Sequence, residues 1–229
     1  MAAFPLVGRI GGCTSAEVRR IDTLRDFFGF QLRKLFDPFV QVLGKLHVTP
    51  NQLTVAGALL NAVAAGLIVS DRLFWAGVVF VLGSLLDMLD GTLARLAQKV
   101  TPFGAFLDST LDRVSEGLIL AGVAYYLADQ GRQLDASLVV LALLGSLLVS
   151  YTRARAEALG LECKVGLMSR PERVVLLAVG LFFDVLPYVV YVLVGLTTYT
   201  VVQRVLHTRK QLSQPISGEG DRKETKLER

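Results

Sequence analysis

Cysteine and histidine are almost missing from this chain, with two of each. Cys13 and Cys163 stand alone and far apart, which excludes a disulfide framework and a zinc-finger spacing. His47 precedes the first long apolar run and His207 follows the last, so neither makes a convincing general base. Charge is scarce as well. Asp, Glu, Lys and Arg make up 19% of the 229 residues, against about 25% in soluble domains. An ordinary soluble domain is therefore excluded, although the length fits one domain. The net charge of +4 is small and evenly spread, which argues against a nucleic-acid partner. It suits a protein at an anionic membrane face.

What the chain does have is apolar sequence: 52% of it is hydrophobic. A bilayer-spanning helix needs roughly 20 mostly apolar residues. Six segments approach this: 52–70, 73–94, 104–128, 136–156, 171–187 and 187–207. The last two run together around Asp184 and Pro187, where a break makes a hairpin. Basic residues favour cytoplasmic loops. They cluster before the first span (Arg19, Arg20, Arg25, Arg33, Lys34, Lys45), between the second and third (Arg95, Lys99), between the fourth and fifth (Arg153, Arg155, Lys164, Arg170) and after the sixth (Arg209, Lys210). The other loops hold only Arg72 and Arg132. The pattern predicts six transmembrane helices with both termini cytoplasmic, in the plasma membrane.

The flanks differ from this middle. Residues 1–20 read as a flexible start. Residues 21–46 place Leu24, Phe27, Phe28, Leu32, Leu35 and Phe36 near helical spacing, with basic residues between. That predicts an N-terminal amphipathic helix lying in the interface. Residues 209–229 read as a disordered polar tail. The fold class is thus all-α integral membrane.

The chemistry concentrates in "DMLDGTLARLAQKVTPFGAFLDSTLD", residues 87–112. An ionisable group inside a membrane helix costs on the order of 3 kcal/mol on insertion scales. Here there are four: Asp87, Asp90, Asp108 and Asp112. The first two are three apart and the last two four apart, so each pair lies on one helix face. A short connection makes the two helices antiparallel neighbours whose pairs can face each other. Clustered carboxylates repel unless something positive sits among them. Oxygen-only donors suit a hard divalent cation, Mg2+ or Mn2+. Four exceed what one such ion takes, which points to two ions clamping a phosphoryl group. Gly91, Gly104 and Ala94 keep the surroundings small, and Arg95 offers a fork for a phosphate.

The pattern D-x2-D-G-x2-A-R-x8-G-x3-D-x3-D is met here by Asp87, Asp90, Gly91, Ala94, Arg95, Gly104, Asp108 and Asp112. It resembles the signature of the CDP-alcohol phosphatidyltransferases, six-helix membrane enzymes. They move a phosphatidyl-type group from a CDP-linked lipid to an alcohol and release CMP. The resemblance implies Asp87, Asp90 and Asp108 as metal ligands, and Asp112 as metal-associated general base. It implies nucleotide contacts at Gly91, Arg95 and Thr101, and at Asn51, Gln52, Leu53 and Thr54 in "TPNQLT". It also implies a homodimer.

"SYTRARAEALGL", followed by "RPER", resembles the phosphatidylinositol-phosphate synthase branch and its archaeal relatives. There, residues matching Arg153, Arg173 and Arg204 hold the acceptor's phosphate; the first is often lysine in that branch. The favoured acceptor is inositol 1-phosphate. Glycerol 3-phosphate is a sibling alternative served by the same arginines. A divalent-cation transporter is a more distant one, since intramembrane carboxylates also mark ion paths. A non-catalytic scaffold leaves the aspartates unexplained.

Overall fold

The computed structural model of the chain describes residues 49–96, 101–163 and 165–213, without the side chains of residues 90–96. The expected flexible start, the interfacial helix over 21–46 and the tail from residue 214 lie outside the described residues.

Every described element is a helix: α1 Pro50–Val69, α2 Leu73–Leu96, α3 Pro102–Asp129, α4 Gln133–Ala158, α5 Arg170–Phe183 and α6 Leu186–Leu212. The helix ends follow local chemistry. Thr49 caps α1 through a capping box, with Thr49 N donating to Gln52 Oε1 at 2.9 Å, and Pro50 stands in the first turn. Thr101 caps α3, its Oγ1 accepting from Gly104 N at 3.0 Å, ahead of Pro102. Asp184 ends α5 in the left-handed region (φ 52°), and Tyr126 Oη of α3 donates to its Oδ1 at 3.2 Å. Pro187 then falls in the first turn of α6, where its missing N–H costs nothing. The expected hairpin is present at this break.

The expected tail boundary is corrected at one point. Residues 209–212 continue α6, and Ser213 N donates to Arg209 O at 3.0 Å. Arg209 and Lys210 sit in the last turn, where positive charge complements the helix dipole.

Packing joins α1 to α2 and α3, α3 to α4, α4 to α6, α2 to α5 and α5 to α6. Ala64, Ile68, Phe80, Ile119, Leu120, Val123, Leu177 and Leu193 form part of a common core. Some helix contacts are close enough to require glycine. A Cβ on Gly57 of α1 would stand 2.9 Å from Gly83 O of α2, and one on Gly145 of α4 would collide with Thr197 of α6. Small residues of this kind let membrane helices approach closely.

Among the described residues, three helices are long and apolar enough to cross a membrane: Pro50–Val69, Gln133–Ala158 and Leu186–Leu212. The others depart for stated reasons. Carboxylates interrupt α2 and α3 at one end. The 14 residues of α5 rise only about 21 Å at 1.5 Å each. Large apolar side chains such as Leu59, Leu134, Val140 and Leu206 face outward along the bundle, a surface suited to lipid rather than water. Exposed Trp75, Tyr125 and Tyr188 lie toward the helix ends remote from the aspartates, where interfacial aromatics belong.

Candidate active site

Three helices converge on the acidic stretch. α2 brings Asp87 in its C-terminal half. α3 starts at its Thr101 cap and then presents Asp108, Asp112 and Glu116 at four-residue intervals, hence along one face. α5 opens with Arg170, and Pro171 in its first turn fixes where that helix begins.

One carboxylate oxygen each from Asp87, Asp108 and Asp112 lies within 4.8 Å of the others. The faces inferred from spacing therefore do meet. Asp90, the fourth of the expected set, has its side chain outside the described residues, as does Arg95; Gly91 lies there too. Arg170 reaches into the cluster. Its Nη1 donates to Asp87 Oδ2, and its Nη2 stands 2.6 Å from Asp112 Oδ1. The side chains are mostly shielded, 9% exposed for Asp87 and 17% for Asp112, so water screens their repulsion poorly. Arg113 also stands near Asp108, so two guanidinium groups face the three carboxylates among the described residues.

Beside the cluster opens a cavity of about 400 Å³. Its wall includes Asp112, Arg113, Glu116, Arg153, Arg170, Arg173 and Arg204. The three arginines expected to act together, from three different helices, thus share one cavity with Asp112. They are held differently. Arg153 pairs with Glu157 of the same helix at 2.8 Å, and both side chains are about half exposed. Arg173 is buried and pairs with Glu116 through two bonds, Nε to Oε1 at 2.5 Å and Nη2 to Oε2 at 3.0 Å. Arg204 is buried as well; its Nε donates to Val165 O at 2.9 Å and its Nη1 to Val149 O. Met168 N donating to Thr200 Oγ1 at 3.1 Å helps fold the α4–α5 connection over this end of α6.

The profile of the family described as CDP-alcohol phosphatidyltransferase matches residues 47–210. The chain belongs to that family. An archaetidylinositol phosphate synthase of Pyrococcus horikoshii is 38% identical over 173 residues, 75% of this chain and 89% of the relative. A phosphatidylinositol phosphate synthase of Corynebacterium glutamicum is 38% identical over 186 residues, 77% of this chain and 84% of the relative. The crystal structure of Mycobacterium tuberculosis phosphatidylinositol phosphate synthase with CDP-DAG bound superposes with TM-score 0.69 at 32% identity, covering 75% of this chain and 91% of that one. The same enzyme in complex with manganese and citrate superposes with TM-score 0.66, covering 75% and 87%.

This CDP-alcohol phosphatidyltransferase is a transferase of phospholipid biosynthesis, and that membership sets aside the ion-transport and scaffold alternatives. Within it, several residues expected at the nucleotide have visible local duties. Gln52 closes the capping box and Thr101 caps α3. Leu53 and Thr54 face the bundle interior, with Thr54 Oγ1 donating to Pro50 O at 3.1 Å. Asn51 borders the start of α3: a Cβ on Gly104 would stand 3.1 Å from its Oδ1. Asn51 also lines a groove with Gln52, Val55 and Leu59.

Two site residues escaped sequence reasoning in their roles. Glu116 continues the Asp108–Asp112 stripe by one more turn, and that periodicity was a usable signal. Arg170 read as a basic flank and, with Arg173, as one of three basic sites able to meet a phosphate, not as a partner of the aspartates. Its partner Asp87 is 83 residues away, and no local pattern links them.

Proposed function

We propose that this phosphatidyltransferase moves the phosphatidyl-type group of a CDP-activated lipid onto inositol 1-phosphate and releases CMP. One observation carries the reading: Arg153, Arg173 and Arg204 line the same cavity as Asp112. Arginines suit the planar, forked recognition of a phosphate. An acceptor whose phosphate rests on them has its free hydroxyl within the same cavity as Asp112. The inositol-phosphate specificity of the two sequence relatives supports the choice of acceptor.

Asp112 is the general base in this proposal. It takes the hydroxyl proton as the acceptor oxygen bonds to the phosphorus, and the bond from that phosphorus to the oxygen of CMP breaks. One phosphate ester is exchanged for another, so positioning and charge stabilisation dominate. Asp87, Asp90, Asp108 and Asp112 would hold two divalent ions, Mg2+ or Mn2+. The donor set fits: three of these carboxylates already converge, and they offer only oxygen. When bound, such ions offset the negative charge of the diphosphate. Arg170 orients Asp87 and Asp112 from the opposite side. Asn51, Gln52, Leu53, Thr54, Gly91, Arg95 and Thr101 are assigned to the CDP part on the resemblance alone.

The proposal includes a membrane domain over 21–208 with six spans, its site on the cytoplasmic side of the plasma membrane. It also includes an interfacial helix before the first span, a flexible start over 1–20, a polar tail and a homodimer. The apolar outer surface and the basic loop pattern support it.

An acceptor screen tests the activity. Purified protein with CDP-lipid and a divalent ion receives inositol 1-phosphate, glycerol 3-phosphate or free inositol, and CMP is measured. Release with inositol 1-phosphate is expected. Release with glycerol 3-phosphate alone would assign the chain to the sibling activity.

A further inference from the structure

Glu116 stands one helical turn beyond Asp112 on α3, and it does not belong to the aspartate cluster. Its two oxygens meet Arg173 of α5, 57 residues away, at 2.5 and 3.0 Å. The arginine side chain is 3% exposed and the glutamate 14%. Both line the cavity that also holds Asp112, Arg153 and Arg204. We propose that Glu116 is a positioning residue for the phosphorylated acceptor, which it serves by fixing the guanidinium of Arg173. The inference rests on the acceptor reading given above.

The guanidinium of Arg173 is a planar fork with five N–H donors, and it has two edges able to make paired bonds. Glu116 takes the Nε and Nη2 edge. The edge formed by Nη1 and the second hydrogen of Nη2 is left, and among the described residues it makes a weak bond from Nη1 to Met168 O at 3.5 Å. Glu116 therefore decides which edge of Arg173 is available to an anion.

The other two arginines are placed by different means. Arg204 is held by backbone carbonyls, and Arg153 by a neighbour on its own helix in an exposed pair. Among these three, Arg173 alone owes its paired bonds to a carboxylate from another helix. A free arginine loses much rotamer freedom when it grips a ligand. Arg173 has already given up that freedom on folding, so an arriving phosphate meets a prepared donor. The carboxylate also offsets charge where Arg170, Arg173 and Arg204 crowd together, and a buried cation without a partner would be strongly unfavourable.

The test uses full-length protein in nanodiscs, with whichever phosphorylated acceptor the wild type turns over. Glu116→Gln keeps the shape but removes the charge, and Glu116→Asp keeps the charge with shorter reach. In Glu116→Gln the KM for the acceptor should rise about tenfold, with the KM for CDP-lipid unchanged within twofold and kcat falling less than KM rises. Competition by inorganic phosphate against the acceptor should weaken in parallel. Glu116→Asp keeps the charge but loses the reach, so its acceptor KM should rise selectively, by less than in Glu116→Gln.

An unchanged acceptor KM in a folded Glu116→Gln protein would overturn the proposal, and so would equal losses toward both substrates. Should Glu116→Gln fail to fold, the Glu116→Asp protein carries the same comparison: an acceptor-selective rise supports the proposal and its absence overturns it. The wild-type screen separates this test from the broader reading. Turnover of glycerol 3-phosphate alone removes inositol phosphate as substrate but leaves the Glu116 test in force. Use of unphosphorylated alcohols alone overturns both.

Discussion

Asp112 has neighbours of two opposite kinds: Arg170 at 2.6 Å, and the carboxylates of Asp87 and Asp108 within 4.8 Å. A group so placed can take a proton only while its own charge is held in position. Replacing it with Asn keeps the size and removes the base. Asp112→Asn should lower kcat by about 10²–10⁴-fold, the usual worth of a general base, with CDP-lipid KM within threefold. CMP release over a substrate series measures both, and a near-normal rate would remove the role.

The same cluster makes a thermodynamic prediction. A ligand that binds only the folded protein stabilises it by about 2.7 kcal/mol at a hundred times its Kd. Mg2+ or Mn2+ should therefore raise Tm over a chelator control. Asp87→Asn or Asp108→Asn should abolish the increase, and thermal unfolding in detergent reads it. An equal increase in those variants would place the ion elsewhere. Of this site, the stripe Asp108–Asp112 was visible in the sequence because four residues bring side chains back to one face. The counter-ion Arg170 was not, because spacing along one helix says nothing of what a distant helix brings up.

Elements were the most legible level. The expected spans 52–70, 73–94, 104–128 and 136–156 fall inside or within a residue or so of α1 to α4. Threonine–proline pairs at Thr49 and Thr101 begin helices where local capping alone dictates. The break near Asp184 was legible too, but not its exact place: α5 ends at Phe183, short of the expected bound at 187, because Asp184 turns left-handed and accepts a bond from Tyr126.

Close approach at this level is open to test. Gly57→Val should force α1 from α2 against Gly83 O and cost about 1–3 kcal/mol, as overpacking does. Asp87 Cβ lies 3.6 Å from the position of that new Cβ, so activity should fall with stability. Gly117→Ala is the control: nothing lies within 4 Å of its Cβ, and a mid-helix alanine should be neutral or gain up to about 1 kcal/mol. Thermal unfolding and CMP release of both variants check this.

For the whole molecule the question is which way the bundle faces. The connections at 70–72, 130–132 and 184–185 should share one side of the membrane, and those near 101 and 159–169 the other. Cys13 and the buried Cys163 are first replaced by alanine to remove background labelling. Single cysteines at Ser70 and Gln130 should react with an impermeant thiol reagent from outside intact cells. Cysteines at Gly160 and Thr208 should react only after permeabilisation. Labelling of all four from one side would refute the six-span arrangement.

The sequence by itself determined the helices, their capped ends, the shared faces of the aspartates and the family signature, since all of these arise from contacts within about one helical turn or from contiguous motif. Only the tertiary structure decided which charges meet: Arg170 with Asp87 and Asp112, Arg173 with Glu116, and Arg204 with the carbonyls of Val149 and Val165. The physical reason is that a charge takes its partner from whatever packing brings within a few ångströms, and helix packing here joins residues as many as 83 positions apart.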